Sequence, residues 1–338
     1  MMKAVRLHDA KDLRVETVAE PADPPPGHVN LRVRAAGICG SDLHNYRTGQ
    51  WITRRPSTAG HEFSARVTAV GEGVTHVVPG DTVAVDSRVW CGTCPACRSG
   101  RGNVCEALGF VGEVCDGGFA EMAQLPARLV LRHDPALAPA VAAMAEPLAV
   151  ALHAVRRLAV PAGAPVLVVG CGTIGGLSAL LLSRLHDGPL LLADLNAEKA
   201  GLVQAVAGGT VVALDRAEID AALAGGRLRH ALDATGSIRA IAGILDLLSG
   251  GGALALVGIG HGKLDLDPNI LVEREISLVG CHAFADELPE AVGLLGDLAP
   301  ALSRLVEVLP GLDDVPAAYE RLLAGEGRAL KTIVTVSD

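Results

Sequence analysis

A two-domain α/β chain, with a β-rich domain joined to a doubly wound parallel sheet, is predicted by three observations. The first is length: 338 residues are too many for one small domain and suit two. The second is composition. Half the residues are hydrophobic and only 20% are charged, so the chain can bury a large core, and with 2% aromatics that core must be aliphatic. The third is a change of texture near residue 164. Before it, short Val-rich segments are punctuated by turn sequences such as PPPG at 24–27, GEG at 71–73 and PGD at 79–81, which reads as a β-rich domain. After it, near-continuous apolar strands alternate with helical stretches, the pattern of a parallel sheet covered on both faces.

Taken in order, PVLVVG reads as a strand, TIGGLSALLLSRL as a helix, LLLAD as a strand, AEKAGLVQAV as a helix and TVVAL as a strand. RHALDATG, a helical IRAIAGILDLL and the strand GGALALVG follow, and the tail is mixed, with a helical DDVPAAYERLLAG and a strand KTIVTV. The uncharged run from Leu158 to Ser183 is long enough to span a bilayer, but its prolines and glycines break it into a strand, a turn and a helix, so no membrane segment is expected. The N-terminal MMKAVRLHDAKDLRVETV has no apolar core of a secretory signal, and a cytoplasmic location is expected. The net charge of −9 and the lack of a Lys/Arg cluster exclude nucleic acid as a partner.

Eight cysteines need a purpose other than disulfides in such a chain. Cys91, Cys94, Cys97 and Cys105 fall in the single loop CGTCPACRSGRGNVC. Two-residue gaps let a short loop wrap a tetrahedral zinc ion, and four thiolates leave no open position, so the site is expected to be structural, an iron–sulfur cluster or free thiols being the competing readings. Cys115, Cys171 and Cys281 have no neighbour at ligand spacing and are expected to be inert.

The first turn of the second region, VVGCGTIGG, contains G-x-G-x-x-G at Gly170, Gly172 and Gly175, with Asp194 closing the next strand. Between a strand and a helix this is a dinucleotide fingerprint: Gly170 allows the tight turn, Gly172 the approach of a pyrophosphate, and Gly175 close helix packing. Ile174 belongs to the same turn. Asp194 is expected to accept hydrogen bonds from the adenosine ribose, and its charge favours NAD over NADP; capping of the next helix is the competing role for it.

Together with AGICGSDLH at 36–44, GHE at 60–62, DGGFAE at 116–121 and AEPLAV at 145–150, these motifs stand in the order found in the zinc-containing medium-chain alcohol and polyol dehydrogenases, which the whole chain resembles. The resemblance implies a GroES-like β-rich catalytic domain formed by residues 1–150 and 286–338, and a Rossmann doubly wound parallel-sheet domain formed by residues 151–285. It also implies two zinc ions per chain, NAD as cofactor, and a homodimer or homotetramer.

Hydride transfer from an alcohol carbon requires loss of the hydroxyl proton, which a zinc ion with an open position promotes. The resemblance assigns this ion to Cys39 and His61, with Glu62 and Glu146 as the carboxylates of the polyol branch. Which carboxylate binds directly is left open. Glu62 as a structural ion pair and Glu146 as a helix cap before Pro147 are the competing roles. Ser41 and His44 match the family's proton relay, against a turn-forming Ser and an exposed His, while Asp42 is expected to hold the local turn. The implied substrate is a polyol or vicinal diol, oxidised to a ketose or ketone. Trp51 and Tyr46 are candidate pocket walls, and Arg54 and Arg55 are either anion contacts or solvent-exposed. A sugar-alcohol phosphate, an amino alcohol, or a zinc-free quinone or enoyl reductase are the alternatives.

Overall fold

A computed structural model describes residues 1–260, 262–327 and 329–337. The chain forms two compact units, Met1–Glu146 with Leu288–Asp338, and Pro147–Glu287.

The first unit is built on mainly antiparallel sheets, Val306–Leu309 and Lys331–Thr335 forming a parallel pair. Among the described residues its largest sheet has seven strands, with the long strand His28–Ile38 near its centre. That strand pairs on one edge with Glu62–Val70 and on the other with Met122–Pro126 along its first half and Lys331–Thr335 along its last. Alternate residues Val29, Leu31 and Val33 are fully buried, the period of a strand with one face on a core. Phe63, Phe119, Tyr46 and Tyr319 join this core, so several of the chain's few rings are spent on packing here. Tyr46 donates to Glu320 and meets Tyr319 edge-on, with ring centroids 5.5 Å apart; this ties it into the core and removes it as a pocket wall. The tail also supplies the helix Leu288–Leu305, which the sequence pattern did not resolve.

The second unit holds six parallel strands among the described residues. Their order is Thr210–Val211, Leu190–Ala193, Val166–Val169, His230–Asp233, Ala253–Leu256 and Ser277–Gly280. In sequence order this is 3-2-1-4-5-6, the doubly wound arrangement whose direction reverses between Val166–Val169 and His230–Asp233. The central strands are buried along their whole length, as expected of a sheet covered on both faces. The run that opened the membrane question is divided here into the strand Val166–Val169 and the helix Thr173–Leu185, and no described helix is long and apolar enough to cross a membrane.

Candidate active site and metal centres

The candidate catalytic group is assembled where the ends of two neighbouring strands meet. Cys39 follows the strand His28–Ile38 and precedes the helix Gly40–Thr48. Glu62 opens the strand that pairs with it, Gly37 standing opposite Glu62, and His61 immediately precedes that strand. Donor atoms of Cys39, His61 and Glu62 all lie within 4.8 Å of one another. A thiolate, an imidazole and a carboxylate so gathered match the donor set of a zinc ion with an open position.

Each donor is held by a neighbour. The Asp42 carboxylate accepts the Cys39 backbone N–H at 2.9 Å and faces His61 Nδ1 at 3.5 Å. It therefore holds the turn, as expected, and also fixes the imidazole, a role that sequence reasoning missed. Burial alone would push His61 down, but the charges of Asp42 and Cys39 hold it well above its ordinary value. Glu62 pairs with Lys331 from the C-terminal strand, both almost fully buried. Burial disfavours the lysine's charge, yet Glu62 outweighs it and holds the ammonium above its ordinary value. Their side chains reach over Gly37, where a Cβ would collide with Glu62 Oε2 and stand 2.9 Å from Lys331 Cε. The structural ion pair weighed for Glu62 is thus present, on a residue that also belongs to the donor group.

Glu146 lies outside that group of three. The helix begins at Ala145, so Glu146 is inside its first turn and does not precede it as a cap, and its Oε1 accepts a 2.6 Å hydrogen bond from Ser87. Burial pushes its carboxyl up to about 7; His61 opposes this and Glu62 adds to it, so the three groups share one electrostatic neighbourhood.

Ser41 and His44 occupy one face of the helix Gly40–Thr48, three residues apart. Ser41 is half-buried and His44 buried. His44 Nε2 lies 3.0 Å from Gln50 Oε1, whose residue is exposed, and its ring centroid lies 4.3 Å from that of Trp51. Trp51 therefore packs on the histidine. Arg54 and Arg55 are exposed and paired with Asp116 and Asp9 at 3.2 and 3.5 Å.

The cysteine lobe is a closed cage. Sγ atoms of Cys91, Cys94, Cys97 and Cys105 lie within 4.8 Å of one another, with Cys91 and Cys105 at 3.5 Å. Backbone N–H groups of Thr93 and Cys94 donate to Cys91 Sγ, both at 3.4 Å, and the N–H of Ala107 donates to Cys105 Sγ at 3.3 Å. Donation from Thr93 lowers the Cys91 thiol to about 6, whereas burial and the neighbouring sulfurs raise Cys97 to about 12. Four sulfurs this close repel as thiolates, and a divalent cation among them lets all four ionise, so the donor set fits zinc.

In the second unit, Gly170 has φ +92° and ends the strand Val166–Val169. A Cβ on Gly175 would collide with the Gly170 carbonyl oxygen, whereas one on Gly172 would meet nothing within 4 Å. The turn is therefore closed where helix meets strand and open where a pyrophosphate would approach the helix N-terminus. Ile174 stands half-buried in the first turn of that helix. Asp194 follows Leu190–Ala193, its Oδ2 accepting the Cys171 N–H at 2.5 Å and its Oδ1 the Asn196 N–H at 2.7 Å. Asn196 caps the next helix by accepting from the Lys199 N–H, so the capping role weighed for Asp194 belongs to its neighbour.

Comparison with known proteins agrees with this layout. Residues 25–135 match the alcohol dehydrogenase GroES-like domain, and residues 176–297 match the zinc-binding dehydrogenase family. A sorbitol dehydrogenase of Halalkalibacterium halodurans is 32% identical over 95% of this chain and 96% of its own length. The crystal structure of 2R,3R-butanediol dehydrogenase from Bacillus subtilis is 30% identical and superposes with a TM-score of 0.90 over 100% of both chains. An alcohol dehydrogenase from Escherichia coli CFT073, solved with NADH, is 26% identical with a TM-score of 0.89 over 99% of both chains. The chain belongs to the zinc-containing medium-chain alcohol and polyol dehydrogenase family.

Proposed function

We propose that this enzyme oxidises a secondary alcohol of a polyol or vicinal diol to the ketose or ketone, with NAD as hydride acceptor. The observation that carries the reading is the convergence of Cys39, His61 and Glu62 donor atoms within 4.8 Å, which a zinc-free quinone or enoyl reductase has no use for. The sorbitol and butanediol dehydrogenases among the relatives support the substrate class.

Bound zinc would supply Lewis acidity, lowering the pKa of the substrate hydroxyl. Cys39, His61 and Glu62 would hold it, and Cys91, Cys94, Cys97 and Cys105 would hold a second, structural zinc. Asp42 orients the His61 imidazole, and Lys331 fixes the Glu62 carboxylate. Glu146, anchored by Ser87, stands by as a further carboxylate that binds directly or through water. The hydroxyl proton passes to Ser41 and His44 and leaves towards Gln50 at the surface. Gly170, Gly172, Ile174 and Gly175 form the pyrophosphate cradle, and Asp194 receives the ribose hydroxyls and repels a 2′-phosphate. Thiolate zinc sites favour a reducing compartment, which supports a cytoplasmic location, and the family supports a homodimer or homotetramer.

The test is an NADH-absorbance screen over diols, pentitols, hexitols, aldonates, threonine and sugar phosphates, with NADP in parallel and zinc measured per chain. Reduction of NAD by diols or polyols with two zinc ions per chain is expected. One zinc per chain, with activity surviving chelation, would sink the reading.

A further inference from the structure

A cavity of about 170 Å³ lies within the first unit, walled by the strands His28–Ile38, Glu62–Val70 and Thr82–Val85 and by the segment 133–139. One water needs about 10–15 Å³ of such space, so the cavity takes a ligand of several heavy atoms. Arg34, Ser64, Arg66, Thr82, His133 and Pro139 are among its walls, and the metal donors Cys39, His61 and Glu62 are not.

Its charge is one-sided. Asp and Glu outnumber Lys and Arg by 38 to 29 in this chain, yet among the described residues no acid lines the cavity. Arg34 and Arg66 stand on paired strands, and neither has a carboxylate partner among those residues, whereas Arg54, Arg55 and Arg88 each have one. Arg34 is half-buried, and its Nε donates to the Ser337 carbonyl at 3.3 Å, which anchors the stem and leaves the two terminal nitrogens for a ligand. Arg66 is exposed.

The walls are pinned to one another. The His133 N–H donates to the Thr82 carbonyl and Thr82 Oγ1 donates to the His133 carbonyl, both at 3.1 Å, and Ser64 Oγ donates to the Pro139 carbonyl at 2.9 Å. His133 Nδ1 lies 2.8 Å from the Asp134 carbonyl oxygen, while its Nε2 is buried without a hydrogen-bond partner among the described residues. Buried polar atoms left in this state are few in folded proteins, and this one belongs to a residue of the cavity wall.

We propose that this cavity binds a phosphate group, free or carried by a small metabolite, between the guanidinium groups of Arg34 and Arg66. A phosphate group carries about −1.5 to −2 charges at pH 7, which two guanidinium groups balance. Their planar forks match pairs of phosphate oxygens. A bound group ties the strand that opens at Glu62 to the segment 133–139, so occupation stabilises the first unit.

The test is calorimetric titration of the zinc-loaded full chain with inorganic phosphate and with glycerol phosphate, at constant ionic strength and with NADH saturating so that the glycine turn is filled. Saturable binding is expected in the parent, with a melting temperature that rises alongside it. Arg34→Gln and Arg66→Gln should each weaken binding about tenfold or more and Arg66→Lys less, with zinc content and NADH affinity at the parent level. Tighter binding of glycerol phosphate supports the site and assigns it to a phosphorylated metabolite; tighter binding of inorganic phosphate supports it and assigns it to the free ion. No saturable binding in the parent, or equal binding in the parent and both glutamine variants, overturns the proposal.

Discussion

Asp42 shows how much a single carboxylate can organise. It caps the turn that presents Cys39 and faces the ring nitrogen of His61, so the thiolate and imidazole are fixed by one group. Partners of this kind typically contribute about 10–100-fold to metal affinity. Asp42→Asn should weaken zinc retention by that order, read from competition with a chromogenic chelator. Ser41→Ala should leave NADH binding intact, as followed by fluorescence titration, while kcat falls about 100-fold or more through loss of the proton path. Lys331→Met leaves the Glu62 carboxylate buried without its cation, and removing one member of such a pair costs about 3–5 kcal/mol. Urea unfolding should show that loss, and the double variant with Glu62→Gln should recover part of it. Residues at this scale were legible where the chemistry is local in sequence. The cysteine spacing, the GHE triplet and the glycine turn each announce themselves within a few positions. Lys331 was invisible, because its partner lies on a strand far away in sequence and only the missing side chain at Gly37 lets them meet.

At the scale of elements, the glycine turn was readable because a run of apolar residues, three glycines and a closing aspartate fall in consecutive pieces of chain. The hydrogen bond from Cys171 N–H to Asp194 was not readable, since it joins two strand ends across the sheet. That bond has Asp194 steady the turn, beside the ribose contact proposed for it. Asp194→Ala should therefore raise KM for NAD about tenfold and shrink the preference over NADP, checked by parallel titrations with the two cofactors. The helix Leu288–Leu305 escaped the sequence reading because Pro300 within it and the glycines at 293 and 296 disguise its period. Its buried leucines at 295, 298, 302 and 305 restore the three-and-four spacing once the structure is known.

For the whole molecule, the chain crosses between its two units twice, after Glu146 and after Glu287. Near these crossings, within the second unit, His153 Nδ1 meets Glu287 Oε1 at 2.9 Å, both side chains buried. Burial opposes the charge on Glu287, but the hydrogen bond from His153 and the Ala285 N–H prevail and lower its carboxyl to about 2. A group depressed on folding adds stability that is fully present above its unfolded pKa, about 4.3, and is lost as pH falls through the folded value. Glu287→Gln should accordingly melt at a lower temperature than the parent at pH 7, and the gap should close between about pH 4 and pH 2. Calorimetry across that range checks it; a constant gap would mean the pair contributes through packing alone.

The strand Lys331–Thr335 sits inside the largest sheet, between His28–Ile38 and Val306–Leu309. Translation delivers it only after the entire second unit has been made. On the ribosome, then, the cysteine lobe has all four thiols while the sheet beneath Cys39 and His61 still lacks an inner strand and Glu62 still lacks its cation. The four thiols of the lobe are therefore available early, whereas Cys39, His61 and Glu62 gain their full support only when contacts between far-separated parts of the chain are formed.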